Sequence, residues 1–251
     1  MDTACLQTGK GQDYVVCGHV KNIQYIAVFD GHGGYRCIDY VRSLNIDDIM
    51  ISENPAWRLW QLVESAGNFY QSGTTFTMAR MIDNLIEIWS IGDSETHVFI
   101  NGEHVYETDK HTFNNPEEVE RTKKIVDFIR PGKAPFPVSE TRVENIESPI
   151  GYFKTGESIV PSQSLGHNGM TEFSPCFKQI YFNPTDKVRV VCGSDGLFDM
   201  LVNVNTGTAT ELSQEAERRW RKDWEYFDGK NTMKTNYGGV IDDISCAIWE
   251  N

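Results

Sequence analysis

β-Branched and aromatic residues cluster in two short runs near the start of the chain, Tyr14 to Val16 and Ile23 to Phe29. A polar breaker containing Gly18, Lys21 and Asn22 parts them, which predicts two strands joined by a turn. The second run leads straight into Asp30-Gly31-His32-Gly33-Gly34. Beyond it the apolar period lengthens: Cys37, Val41 and Leu44 recur at helical spacing, and Trp57, Trp60, Leu62 and Val63 predict a second helix starting near Pro55. From Thr74 to Ile100 the strand pattern returns, broken at Asn84 and at Gly92-Asp93-Ser94. Asn101-Gly102 then reads as a tight hairpin turn, so an antiparallel meander is expected. Pro116 to Phe128 is helical in composition, with Asn114 and Asn115 as candidate caps. Residues 130 to 162 hold five of the nine prolines and show no clear period, which predicts a long irregular flap. Tyr181 to Cys192 reads as strand, Leu197 to Val202 as a short helix, Ala209 to Tyr226 as a polar amphipathic helix, and Ile241 to Trp249 as a last strand. Strand runs with helices inserted at two separate places predict an α+β architecture, in one domain over residues 1 to 251.

Composition narrows the function classes. An apolar fraction of 39% and an aromatic fraction of 12% exclude a disordered acidic chain. The formal net charge of -13 argues against a nucleic-acid or anionic-membrane module, because both surfaces would repel it. The six cysteines are widely spaced with no CxxC pair, so a structural zinc motif or a redox pair is not expected. No basic start followed by an apolar run is found, and no apolar stretch of membrane-spanning length. A monomer in the cytoplasm is expected, with the nucleus as a second location.

Four short carboxylate motifs stand where strands run into turns: Gln12-Asp13, Asp30-Gly31-His32-Gly33-Gly34, Ser194-Asp195-Gly196 and Asp242-Asp243. Taken alone, each has a plain explanation, since Asp caps turns and helix starts. Together they suit hard divalent ions, which take carboxylates, backbone carbonyls and water in octahedral array. Glycine beside Asp30 permits close approach of a backbone carbonyl to an ion. His32, within this acidic cluster, is a candidate proton donor.

The same residues belong to a longer series: VFDGHGG at Val28 to Gly34, SGTT at Ser72 to Thr75, and IGDSE at Ile91 to Glu95. TDKHTFNNPEEVER at Thr108 to Arg121, SQSLGH at Ser162 to His167, GSDGLFDML at Gly193 to Leu201 and DDISCAIW at Asp242 to Trp249 complete it. In order and spacing this series resembles the PP2C (PPM) family of metal-dependent serine/threonine protein phosphatases over almost the whole chain. The resemblance implies a four-layer α/β/β/α sandwich with two antiparallel sheets and the flap near the cleft. It implies two Mn²⁺ or Mg²⁺ ions held by Asp30, the Gly31 carbonyl, Asp195 and Asp242, with Asp13 acting through water. Asp93 with Asp195 would hold a weaker third ion. The implied reaction is hydrolysis of phosphoserine or phosphothreonine in a phosphoprotein, by a metal-bridging hydroxide, with His32 protonating the leaving oxygen.

Several residues depart from the family pattern. Gln12 stands for a glutamate, and Lys10 is the nearest cation to a missing phosphate-binding arginine; lysine offers a point charge without the bidentate fork. Gln163 and His167 replace an arginine and an aspartate, and His167 is read as a structural or surface histidine rather than an extra ligand. Asp243 replaces a frequent asparagine and is expected to keep its role as acceptor. The alternative function is a pseudophosphatase serving as a protein-binding module. Retention of Asp30, Asp195, Asp242 and His32 favours the active enzyme.

Overall fold

The computed structural model describes residues 1–251. Two antiparallel sheets lie face to face. The five-stranded sheet runs in the order Asp2–Leu6, Ile244–Glu250, Val188–Gly193, Glu95–Ile100, Glu103–Glu107. The seven-stranded sheet is built around Ile23–His32, which pairs with Asp13–Val20, Phe76–Ile82 and Gly73–Thr74. It continues from Phe76–Ile82 through Leu85–Ile91 to Cys176–Tyr181, while Leu165–Gly166 extends the Gly73–Thr74 end.

Alternation along the central strands explains the four layers. In Ile23–His32, Ile26 and Val28 enter the cluster between the sheets, together with Val190, Cys192, Ala247 and Trp249. Tyr25, Ala27 and Phe29 point the other way, into a second cluster with Ile38, Val41, Leu59 and Val63. A strand buried on both faces reads as a continuous apolar run, as this one does. The same division holds for Ile244–Glu250: Ala247 and Trp249 face the other sheet, whereas Ile244, Cys246 and Ile248 meet Leu212, Ala216 and Trp220.

Helices Tyr35–Ser43, Ile46–Met50 and Pro55–Ala66 therefore cover the larger sheet, and Asp195–Phe198 with Ala209–Arg221 cover the smaller. Their starts follow capping chemistry. The Asn54 side chain accepts from the Trp57 N–H with Pro55 in the first turn, and Thr208 and Glu211 form a reciprocal capping box. This is the α+β sandwich the resemblance implies.

The structure corrects several expectations. Asp2–Leu6 and Ile46–Met50 were not anticipated. The helix from Pro116 stops at Thr122, and Val126–Arg130 is a strand. Tyr181 to Cys192 is not one strand, because Cys176–Tyr181 and Val188–Gly193 belong to different sheets. The flap is not irregular. It holds Lys133–Pro137, Arg142–Glu147, Ile150–Phe153 and Ser158–Ile159, in two small sheets. Lys133–Pro137 is an edge strand, where Pro135 and Pro137 are tolerated because one side needs no ladder donors. The helix expected to reach Tyr226 ends at Arg221, and Trp224–Phe227 is instead a strand that pairs in parallel with Arg142–Glu147.

Candidate metal centre

The strand ends along one rim of the sandwich carry the acidic motifs into contact. Asp13 and Asp30 stand opposite each other in the antiparallel register, and the Gly31 N–H donates to the Gln12 carbonyl at 3.2 Å. A Cβ at Gly31 would come 2.7 Å from that carbonyl oxygen and 3.1 Å from the Ile38 Cβ, so only glycine fits. In the other sheet, Asp195 follows Val188–Gly193 and Asp242 precedes the neighbouring strand Ile244–Glu250. Gly196 permits their approach, since a Cβ there would fall 2.1 Å from the Asp243 carbonyl oxygen. Asp93 lies in the turn between Leu85–Ile91 and Glu95–Ile100. Lys10, Asp30, His32, Asp93, Asp195 and Asp242 line one cleft of about 520 Å³, with the Gly31 backbone among its walls.

Asp13 is buried beside this cleft, and neither of its carboxylate oxygens has a hydrogen-bond partner; nor does Asp195 Oδ1. Burial, with added repulsion from Asp195 and Asp243, pushes the Asp13 carboxyl up to about 8. Burial and Asp195 likewise raise Asp30 well above the carboxylate range, Asp93 to about 7 and Asp242 to about 6. Unpaired carboxylates packed this closely are costly unless cations join them. Short aspartate arms and oxygen-only donors fit hard divalent ions of the Mn²⁺ or Mg²⁺ kind. The six aspartate and glycine positions expected from the sequence thus come together.

Lys10 is the only lysine or arginine in the cleft wall. Its loop is held from both sides. Asp243 accepts from the Gly9 N–H at 2.7 Å and the Gln12 N–H at 2.8 Å, one with each carboxylate oxygen. Arg42 donates to the Gly11 and Asp13 carbonyls at 3.1 and 2.8 Å. An asparagine at 243 would turn an amide N–H₂ toward one of those donors, so the aspartate suits this loop.

His32 is half-buried at the cleft, with Nε2 3.1 Å from Ser164 Oγ and its ring stacked 5.1 Å from that of His167. Burial, then the neighbouring His167, lowers its pKa to about 3, so the free site holds a neutral imidazole. His167 is no surface residue: it is 2% exposed, lines the same cleft, and bonds Glu157 Oε1 through Nδ1 at 2.9 Å. Gln163 lies outside the cleft wall, donating to Glu118 Oε1 at 3.1 Å and accepting from the Ser174 N–H at 3.2 Å.

Sequence reasoning missed Asp199. It sits one helical turn beyond Asp195, and lines an adjoining cleft of about 440 Å³ with Asp93 and Asp195. Burial and Asp195 raise its pKa well above the usual range, although Lys110 stands 3.6 Å away. The i, i+4 spacing of Asp195 and Asp199 was the available signal.

The protein phosphatase 2C family profile matches residues 3–206. A probable protein phosphatase 2C of Arabidopsis thaliana, number 76, is 22% identical over 236 residues, covering 88% of this chain and 50% of its own length. The chain spans 40 to 58% of the length of three plant relatives. Among solved structures, the serine-threonine phosphatase 2C of Toxoplasma gondii superposes with a TM-score of 0.59 at 13% identity, covering 98% of this chain and 92% of that one. The catalytic domain of the serine/threonine phosphatase PstP, in complex with two manganese ions, does so at 0.53 and 16%, covering 96% and 90%.

Proposed function

Because the chain belongs to the protein phosphatase 2C family, we propose that it hydrolyses phosphoserine and phosphothreonine in proteins at the aspartate-lined cleft. The observation that carries this reading is the convergence of Asp30, Asp195 and Asp242, from three separate parts of the chain, around carboxylate oxygens that lack partners. Asp30, the Gly31 carbonyl, Asp195 and Asp242 hold two divalent ions, with Asp13 behind them, and the manganese-bearing PstP domain favours Mn²⁺. When bound, such ions supply Lewis acidity toward phosphoryl oxygens and acidify a water as nucleophile. Asp93, Asp195 and Asp199 hold a weaker third ion.

The remaining residues handle charge and protons. Lys10 offers the substrate phosphate a point charge from its tethered loop. Arrival of a phosphate dianion raises the proton affinity of the nearby neutral His32, which takes up a proton from solvent and then gives it to the departing seryl or threonyl oxygen. Ser164 and the stacked His167, itself fixed by Glu157, orient the ring.

The test is release of phosphate from a phosphothreonine peptide at saturating Mn²⁺, comparing the parent with Asp195→Asn. Turnover by the parent and its loss in the variant are expected. Peptide binding without turnover by the parent would instead make the fold a protein-binding module.

A further inference from the structure

Away from the cleft, the hairpin formed by Glu95–Ile100 and Glu103–Glu107 carries a second group of ligand-type side chains. His97, His104 and Glu107 present donor atoms that all lie within 4.8 Å of one another. The register explains how. His97 stands opposite Glu107 and Val98 opposite Tyr106, but Phe99 stands opposite His104, so Val105 is an extra residue. In an unbroken strand, residues three apart point to opposite faces. The bulge at Val105 turns His104 onto the face that already bears Glu107 and His97, a re-aiming that bulges commonly perform.

The donors converge without being used. Glu107 Oε2 lies 3.9 Å from His97 Nδ1 and 3.8 Å from His104 Nε2, too far for hydrogen bonds. Behind His97, its Nε2 is buried with no hydrogen-bond partner and faces Glu95 Oε2 at 3.5 Å. Stacking on Phe198, at 4.4 Å between ring centres, fixes the plane of His97. A metal-ligating histidine backed by a carboxylate on its other nitrogen is a recurrent arrangement that sets the tautomer and strengthens the ligand.

We infer that His97 Nδ1, His104 Nε2 and Glu107 Oε2 form a site for a Zn²⁺-class transition-metal ion on the edge hairpin, separate from the aspartate centre. Tetrahedral zinc at its usual bond lengths sets donors about 3.3 to 3.5 Å apart. Movements of up to about 1.5 Å in the exposed His104 and Glu107 side chains, with the His104 ring rotating out of its stack on His97, meet that requirement. Two imidazoles with one carboxylate select Zn²⁺, Co²⁺, Ni²⁺ or Cu²⁺, whereas the all-oxygen aspartate centre suits Mg²⁺ or Mn²⁺. The two sites therefore sort ions by softness, and water completes the coordination on the open side. Such an ion would pin the edge strand Glu103–Glu107 to its neighbour.

The experiment titrates the full chain with Co²⁺ in large Mg²⁺ excess, so that the oxygen site is filled. It reads the visible absorption that nitrogen-ligated, low-coordinate Co²⁺ gives and octahedral oxygen-ligated Co²⁺ barely shows. One equivalent of absorbing Co²⁺ is expected for the parent and for Asp195→Asn. His104→Ala should lose the band, and Glu107→Gln should raise Kd more than about tenfold. Both substitutions fall on exposed side chains, and melting curves check that the variants remain folded. Absence of the band from the parent would overturn the assignment, as would its persistence in His104→Ala. Equilibrium dialysis with Zn²⁺ alone gives a second reading, because the parent should retain one more ion than His104→Ala and an equal count would refute the site.

Discussion

Asp13→Asn should stabilise the metal-free protein while damaging its metal centre. Burial and neighbouring carboxylates raise Asp13 from 3.8 to about 8, so it favours folding below its ordinary pKa and loses that contribution as pH climbs toward the raised value. At pH 7, with 1.36 kcal/mol for each pH unit above 3.8, the penalty is about 4 kcal/mol. An asparagine escapes this penalty, but its amide is buried at the same partnerless position, which costs about 2 kcal/mol, so the net gain is near 2 kcal/mol. For a chain of this size that is a rise in Tm of about 4 to 8 °C. At pH 5 the gain shrinks to about 1 kcal/mol or less, and the two proteins should melt within about 4 °C of each other. Mn²⁺ at a hundred times its Kd adds about 2.7 kcal/mol per site to the parent, which should then overtake the variant. The assay is thermal melting at pH 5 and pH 7, with chelator and with Mn²⁺. A variant that melted no higher than the parent at pH 7 in chelator would refute the reasoning, as would a gain of equal size at both pH values.

Asp30→Asn and Asp242→Asn should each lower phosphatase turnover by several orders of magnitude with the fold retained, because each removes anionic charge from a centre that holds dications; near-parental turnover at saturating Mn²⁺ would count against that role. His32→Gln should slow phosphothreonine hydrolysis far more than hydrolysis of p-nitrophenyl phosphate, whose leaving group departs without a proton, and equal losses in kcat would remove His32 as the acid. Lys10→Ala should raise KM for a phosphopeptide about 5- to 10-fold at low salt, with Lys10→Arg restoring binding, and an unchanged KM would exclude Lys10 from phosphate contact.

Strand and helix patterns, and the acidic motifs at strand ends, were legible along the chain because they are local. Tyr25 to Phe29 declares a doubly buried strand by its unbroken apolar run, and Pro55 with Asn54 marks a helix start by capping chemistry. The order of the motifs was enough to point to the family. What the sequence could not decide depended on partners far away in the chain. Pro135 and Pro137 look like loop residues until Arg142–Glu147 makes theirs an edge strand, and Trp224–Phe227 continues a helical composition until the flap pairs with it. Whether Asp13 meets Asp30 rests on the register of two strands, and whether Asp195 meets Asp242 rests on the space Gly196 leaves beside the Asp243 carbonyl. His104 illustrates the same limit in one residue: spacing alone turns it away from Glu107, and only the extra residue in the hairpin brings the two to one face. Local chemistry chose the elements, while the pairing of strands chose which side chains share a site, because a single-residue change of register reverses every face.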